Sequence, residues 1–298
     1  MSLTLKYKLL NPFHLLLRKF GPQWIALRYR KYYGKRMNKK SPQLYHEKIF
    51  WLLYHTDVSR WGELADKYAV RKFVTERIGK DILPKLLGVY DKAAEINFDE
   101  LPQSFVLKTN NACTTNIIVH DKSTLDIPAT RKKLDYWLGI HYGDLTAERQ
   151  YTLIPPKIIC EEMLQDHKNG AEGLIDYKFE CFDGVPMFCT VYSERTNNTH
   201  SKKYMMYNMD WEPMPRVFDK AFKKLRLSEP IPVPECWNEM KEIAAKLSRE
   251  FTYVRVDMYV IDGKPVFGEM SFTPGFDTYY TEEFNLELGK LIKLPVKE

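Results

Sequence analysis

The stretch from Thr252 to Gly275, TYVRVDMYVIDGKPVFGEMSFTPG, limits the fold more than any other part of the chain. Apolar side chains alternate through Val254, Val256, Met258 and Val260, the period of a strand with one buried face, and Asp262-Gly263 marks a turn into a second strand. On that second strand Val266, Gly268, Met270 and Phe272 read as the buried face. Arg255 and Asp257 then share the opposite face with Glu269 and Ser271. For the two buried faces to coincide, paired residue numbers must add to an even number, as 257 and 269 do. A plain two-residue turn pairs 261 with 264 and sets Asp257 opposite Gly268, so the pattern predicts a three-residue loop or a bulge within 261–265, with Gly263 as its glycine. Asp257 and Glu269 then face each other, and like charges so placed destabilise unless something neutralises them. A divalent cation held by hard oxygen ligands, working on a nucleotide, is one neutraliser. The alternative is that Arg255 pairs with both acids in a solvated ladder.

A chain of 298 residues buries a sizeable core, as one large domain or two modest ones. Its five cysteines show no C-x-x-C spacing and its seven histidines no metal-ligand pair, which excludes a zinc ribbon and favours a reducing compartment. There is no signal-peptide pattern and no run of 18 apolar residues, so the expected location is the cytoplasm. The N-x-T triplet at Asn197 then carries no glycosylation. Charge is unevenly spread: eleven of the 45 Lys and Arg lie in residues 1–40, and none of the 39 acids does. With LLNPFHLLLRKFGPQWIALRYRKYYGKR, this segment has the composition of one lying on an anionic membrane surface. A helical arm packed on the main domain fits the composition equally well. No motif of nucleic-acid recognition accompanies the basic patch, and nucleic acid is not an expected partner.

Helical spacing between Gln43 and Arg77 predicts two helices before Gly79. Strands follow near residues 86, 104, 116 and 158, with one helix at about 125–139. Beyond Gly170 come DYKFECF, a turn at Asp183-Gly184, PMFCTVYSE, YMMYNM, a helix at about 235–250 and the opening hairpin. The irregular mixture indicates α+β with antiparallel sheets. The expected divisions are a basic, amphipathic helical segment over 1–60, a small lobe over 61–165 and a large lobe over 166–298.

R-x-D on one strand, followed twelve residues after its Asp by the Glu of G-E-M-S-F-T-P-G, resembles the last two strands of ATP-grasp ligases. Asp66-Lys67 opening DKYAVRKFV, Lys108 in FVLKTN, and IICEEML resemble the lysine-bearing helix start, the strand lysine and the adenine hinge of that fold. LADKYAVR, NIIV, DYKFxCF, VRVDMY and FGE together are similar to the TupA-like ATP-grasp group of cell-surface polysaccharide biosynthesis. The resemblance covers about residues 41–292. It implies an ATP-grasp fold, two α+β lobes with antiparallel sheets clasping a nucleotide, and it implies ATP and Mg²⁺ as cofactors.

Residue by residue, the resemblance implies that Asp257 and Glu269 hold Mg²⁺ with Ser271 as a poorer third ligand, standing where many relatives carry Asn. Arg255 stabilises the transferring phosphoryl group, and Lys67 and Lys108 reach phosphates. Lys178, a basic residue of the large lobe, is the second catalytic candidate, for gripping the acceptor or the phosphates. Thr114 and Thr115 line the phosphate loop, TNNACTTN, which lacks the family's glycines. The hinge spans Glu161, Glu162 and Met163; the two acids alternate faces, so at most one reaches ribose, and Glu162 is preferred. Arg195 is a candidate for gripping the acceptor. The expected activity is an ADP-forming carboxylate–amine ligase of capsular or other surface-polysaccharide assembly, joining a small or lipid-linked saccharide acceptor to an amino-acid-like amine. The rivals are a glycosyltransferase, for which no D-x-D motif is present, and a nucleotide-binding module without turnover, which the glycine-poor loop permits.

Overall fold

Alternation and helical periodicity resolve into two antiparallel sheets, one in each of two units assembled from interleaved segments of the chain. The structure is a computed structural model and describes residues 3–167, 174–193, 203–214, 217, 227, 229–275 and 280–295; Arg195 and Asn197 lie outside the described residues. Helices are α1 (Leu3–Leu10), α2 (His14–Lys19), α3 (Gly21–Tyr33), α4 (Tyr45–His55), α5 (Ser59–Ala65), α6 (Val70–Arg77), α7 (Ile127–Leu138), α8 (Tyr142–Thr146), α9 (Trp237–Ser248) and α10 (Glu282–Leu291). Strands are β1 (Leu86–Tyr90), β2 (Phe105–Thr109), β3 (Asn116–Val119), β4 (Ile158–Glu162), β5 (Asp176–Phe182), β6 (Val185–Ser193), β7 (Lys203–Asn208), β8 (Tyr253–Ile261) and β9 (Lys264–Ser271). The pair of helices expected between Gln43 and Arg77 is three. The extra break falls at 66–69, where the Asp66 carboxylate accepts hydrogen bonds from the backbone N–H groups of Tyr68 and Ala69 and draws the chain into a turn.

The first unit comprises Met1–Arg28, Thr56–Lys72 and Pro84–Met163, and its sheet runs in the order β1-β4-β2-β3. Phe105 and Leu107 of β2 and Ile158 and Cys160 of β4 bury one face against Leu134 and Trp137 of α7. The basic N-terminal helices pack on this unit. Tyr7 and Ile25 are buried, the Trp24 indole N–H donates to the Leu145 carbonyl at 2.9 Å, and Arg18 grips the buried Asp144 carboxylate through two bonds of 2.7 and 3.0 Å. The packed-arm reading of the sequence is therefore the one observed. On the side of the same helices turned from these contacts, Leu9, Phe13, Leu16, Phe20 and Leu27 are exposed.

The second unit comprises Tyr29–His55, Phe73–Leu83 and Leu164–Glu298, with a sheet in the order β7-β6-β5-β8-β9. Helix α9 lies on one face, where Trp237 stacks on Phe179 with ring centroids 5.1 Å apart. The sequence boundary near 165 falls close to the change of unit after Met163. The first 60 residues, by contrast, divide between the two units.

The β8–β9 hairpin departs from expectation in one respect. Its connection is the plain two-residue turn: Ile261 pairs with Lys264, and Asp262 and Gly263 both take positive φ (52° and 86°), as a type I′ turn requires. Parity is instead restored further along, by a bulge at Gly268, so that Met258 faces Phe267 while Asp257 still faces Glu269. Side chains of β9 change face at the bulge: Pro265 and Phe267 turn inward before it and Met270 after it, and Val266 lies on the outer face. Glycine suits the bulge, because a Cβ there would sit 3.0 Å from the carbonyl oxygen of Asp257, tighter than an ordinary contact.

Candidate active site

In the second unit, strand alternation gathers six polar side chains on the sheet face opposite α9, as two cross-strand rows. Lys178, Asp257 and Glu269 form one row; Glu180, Arg255 and Ser271 form the other. Asp257 is buried, and each of its oxygens is engaged. Arg255 binds it through Nε and Nη2 at 2.7 and 2.8 Å, and Lys178 Nζ donates to Oδ2. Burial alone would raise the carboxyl's pKa, but the charges of Arg255 and Lys178 outweigh it and hold the group below its ordinary 3.8. Glu180 goes the other way. Completely enclosed, it accepts hydrogen bonds from Tyr45 at 2.9 Å and Tyr253 at 2.6 Å, yet burial outweighs these and Arg255 and pushes its pKa above 4.5. Glu269 is the accessible acid of the group: Arg255 Nη2 lies 3.7 Å and Ser271 Oγ 3.5 Å from its carboxylate. Arg255 thus pairs with both acids, in a buried setting rather than a solvated ladder.

The donor set of Asp257, Glu269 and Ser271 is all oxygen and holds two carboxylates on facing strands, the chemistry that suits a hard divalent cation such as Mg²⁺. Asp257 Oδ1, which accepts only from Arg255 Nε, has a lone-pair site beyond its present bond, and Glu269 is open to a further partner. The residues fit such an ion.

In the first unit a second carboxylate is shared in the same way. Glu161 of β4, 5% exposed, binds Lys108 Nζ of β2 at 2.5 Å and Arg71 Nη1 of α6 at 3.0 Å. Arg71 is fixed by a further bond from Nη2 to the Pro84 carbonyl at 2.6 Å. Two cations against one acid leave a surplus positive charge, and the lysine is partly open to solvent. Glu162 turns to the other face, exposed, and accepts the Lys85 backbone N–H at 2.7 Å; Met163 follows at the end of the strand. The structure therefore places Glu161, rather than the preferred Glu162, beside Lys108.

The loop between β2 and β3 completes this half. Asn110 donates to Asp66 at 2.9 Å, tying the loop to the turn that carries Lys67, and Lys67 Nζ donates to the Ala112 carbonyl at 2.7 Å. Thr109 and Thr115 close the loop's neck through their hydroxyls at 2.7 Å. Thr114 sits at φ 61°, in the left-handed region where a β-branched residue is an outlier and glycine is at ease. Lys67 lies in the turn between α5 and α6, not within a helix.

A family described as TupA-like ATPgrasp matches residues 47–293. The chain belongs to the TupA-like ATP-grasp family. Its α+β architecture with two antiparallel sheets is the ATP-grasp fold of that family. No functionally curated protein matches the chain. Among solved structures, D-alanine–D-alanine ligase from Bacillus anthracis complexed with ATP is similar at 18% identity and a TM-score of 0.47, over 80% of this chain and 66% of that one. The ATP-grasp ligase PsnB complexed with a precursor variant, Mg and ADP is similar at 11% identity and 0.46, over 80% and 62%. The ADP complex of N5-carboxyaminoimidazole ribonucleotide synthetase is similar at 13% and 0.43, over 76% and 50%. This chain thus spans about half to two thirds of their lengths.

Two members of the TupA-like site went unread in the sequence. Glu180 stands two residues after Lys178 in DYKFECF, so strand alternation places it on the same face. Arg71 follows Lys67 by four residues in DKYAVR. Only the packing of α6 against β4 shows that it reaches Glu161.

Proposed function

We propose that this TupA-like ATP-grasp protein is an ATP- and Mg²⁺-dependent, ADP-forming carboxylate–amine ligase of surface-polysaccharide assembly. The observation that carries the reading is the Lys178–Asp257–Glu269 row with Arg255, two cations and two acids on one rigid sheet face. Such a group serves phosphoryl transfer, in which the protein's task is positioning and charge stabilisation. In this reading Lys67 and Lys108 clamp phosphate oxygens, with Thr114 and Thr115 donating to them from the loop. The hinge of Glu161, Glu162 and Met163 holds adenosine. Asp257, Glu269 and Ser271 hold Mg²⁺, which when bound neutralises phosphate charge. Arg255 and Lys178 stabilise charge on the γ-phosphoryl group as it passes to the acceptor's carboxylate, giving an acylphosphate and ADP. The amine then attacks the acyl carbon, and phosphate leaves as the amide forms. Arg195 is assigned to the acceptor. A saccharide carboxylate, small or lipid-linked, and an amino-acid-like amine are the substrates this chemistry calls for.

Thermal unfolding tests the nucleotide step. Millimolar ATP with Mg²⁺ raises the melting temperature, since a ligand bound only by the folded state stabilises it by mass action, and Lys108→Ala removes most of the shift. ADP release that depends on both a uronic acid and an amino acid tests the ligation. ADP release with neither dependence, or no response to ATP in folded protein, overturns it.

The N-terminal helices support a location on the inner face of a membrane. No described helix is long and apolar enough to cross a bilayer. The exposed Phe13, Leu16 and Phe20, set among Lys and Arg, form a surface that binds anionic lipid by shallow insertion and charge. Because this arm is packed on the first unit, deletion of it is a poor test. Phe13→Glu with Leu16→Glu leaves the Asp144 contacts in place and is expected to abolish sedimentation with phosphatidylglycerol vesicles while the ATP-induced shift persists. Vesicle binding unaffected by the pair, or absent in the parent at low salt, removes the membrane from this reading.

A further inference from the structure

Five lysines share one concavity of the second unit, apart from the residues assigned to ATP. The basin, of about 760 Å³, is lined by Lys39, Lys40, Lys48, Lys290, Lys293 and Trp51, and among the described residues no acidic side chain lines it. Such a wall is positively charged and attracts anions over a Debye length of roughly 8 Å. Lys48 donates to the Ile292 carbonyl at 2.8 Å, and Lys293 pairs with Asp183 at 3.1 Å. Lys39, Lys40 and Lys290 stand exposed around the rim.

The basin is built rather than incidental. Its 39–43 wall is fixed by the buried Glu47 carboxylate, which accepts backbone N–H bonds from Asn38, Gln43 and Leu44 at 2.8, 3.1 and 3.2 Å. The opposite wall, α10, approaches so closely that a Cβ on Gly289 would run into the Gln43 carbonyl oxygen, so only glycine permits this seam. Trp51 and His55 of α4 stack face to face, centroids 4.4 Å apart and planes 7° apart, and present a flat ring platform among the lysines.

An indole face accepts the C–H face of a pyranose, and lysines act as point charges for groups projecting from it. We propose that this basin binds an acidic glycan, an oligosaccharide bearing uronate carboxylates. It holds the polymer on which the ligase works, away from the reacting end. This inference rests on the proposed reading for its biological sense, while the binding itself is independent of turnover.

Calorimetric titration of the full chain at low ionic strength tests it, with hexagalacturonate as probe and maltohexaose and inorganic phosphate as controls. The acidic hexamer binds, the neutral one does not, and Lys40→Glu with Lys290→Glu weakens binding by roughly tenfold or more, each charge contact contributing about 1 kcal/mol at most. Trp51→Ala weakens it further, and the melting temperature of the lysine pair confirms an intact fold. Unchanged binding in the lysine pair overturns the proposal. So does full displacement by millimolar phosphate, which marks a simple anion site, or loss of anionic-vesicle binding in the pair, which marks a lipid site. Absence of hexagalacturonate binding with the ATP response intact sinks this inference alone. Binding without any ATP response sinks the ligase reading and leaves the glycan site standing.

Discussion

Each unit builds the same figure on its sheet: one buried carboxylate shared by a lysine from a neighbouring strand and an arginine. In the first it is Glu161 with Lys108 and Arg71; in the second, Asp257 with Lys178 and Arg255. What differs is the company. The first trio carries a surplus positive charge beside a loop of backbone and hydroxyl groups, and suits an anion. The second has Glu269 across the hairpin and Ser271 beside it, which cancels the surplus and supplies oxygen ligands, and suits a cation. One local motif thus differs in charge according to a single added acid, and the bulge at Gly268 is what brings that acid into line.

The largest effect expected from this contrast is in stability. The side chains of Arg255 and Lys178 are 14% and 13% exposed, against 16% and 23% for Arg71 and Lys108, and Arg71 has a carbonyl partner outside its trio in Pro84. Asp257→Asn removes the acid that both enclosed cations share, leaving Arg255 only Glu269 at 3.7 Å and the Ser271 hydroxyl at 3.1 Å, and should cost about 3–5 kcal/mol. Glu161→Gln leaves cations that reach water or other acceptors, and should cost about 1–3 kcal/mol. Urea unfolding of the two variants compares them directly. Equal costs would mean that the two trios are alike in burial energetics and that the distinction drawn here is one of composition only.

Most of this architecture is legible in the chain because alternation is a strong signal. Every strand from β1 to β9 is readable near its observed place, and the shared face of Arg255, Asp257, Glu269 and Ser271 follows from period two and the hairpin; that Lys178 joins them depends on β5 lying beside β8. The location of the hairpin's irregularity is less so. Parity demands one extra residue somewhere between Asp257 and Glu269, and both Gly263 and Gly268 can supply it; the turn preference of Asp-Gly decides for Gly268. Helix α10 escapes notice because its apolar positions, Phe284 and Leu288, are few and its partner α4 lies far away in sequence. The choice between Glu161 and Glu162 depends on which face of β4 adjoins Lys108 of β2, a matter of sheet order that no local pattern encodes.

A smaller effect separates the two carboxylates of the second unit by pH. Glu180, its folded pKa raised above 4.5 by burial, binds its proton more tightly folded than unfolded. Its contribution is present below about 4.5 and is lost as pH rises through the folded value. Asp257, lowered below 3.8, contributes above that value and loses its contribution as pH falls through the folded one. Glu180→Gln removes the first dependence and keeps a partner for Tyr45 and Tyr253. Between pH 4.5 and 7 the parent should therefore lose stability relative to the variant, measured by unfolding at a series of pH values. A constant difference across that range would show that Glu180 does not change its proton affinity on folding.

The smallest effect concerns the anion-suited trio's loop. Thr114 is held at φ 61°, where a side chain with a branched Cβ costs roughly 1–2 kcal/mol, and its hydroxyl gives back only an exposed bond to the Cys113 carbonyl at 2.6 Å. Glycine removes the clash but loses about 0.5–1 kcal/mol to the greater freedom of the unfolded chain. Thr114→Gly is thus expected to stabilise the protein by at most about 1 kcal/mol, and to enlarge the ATP-induced melting shift, because backbone N–H groups approach phosphate more closely without a Cβ. Gly268→Ala, the corresponding change in the other unit, should do the reverse and disturb the Asp257–Glu269 alignment. If Thr114→Gly lowers stability and weakens the ATP response, the threonine is an active phosphate donor and its strain serves binding. The first trio would then depend on a side chain as specific as Glu269 is to the second.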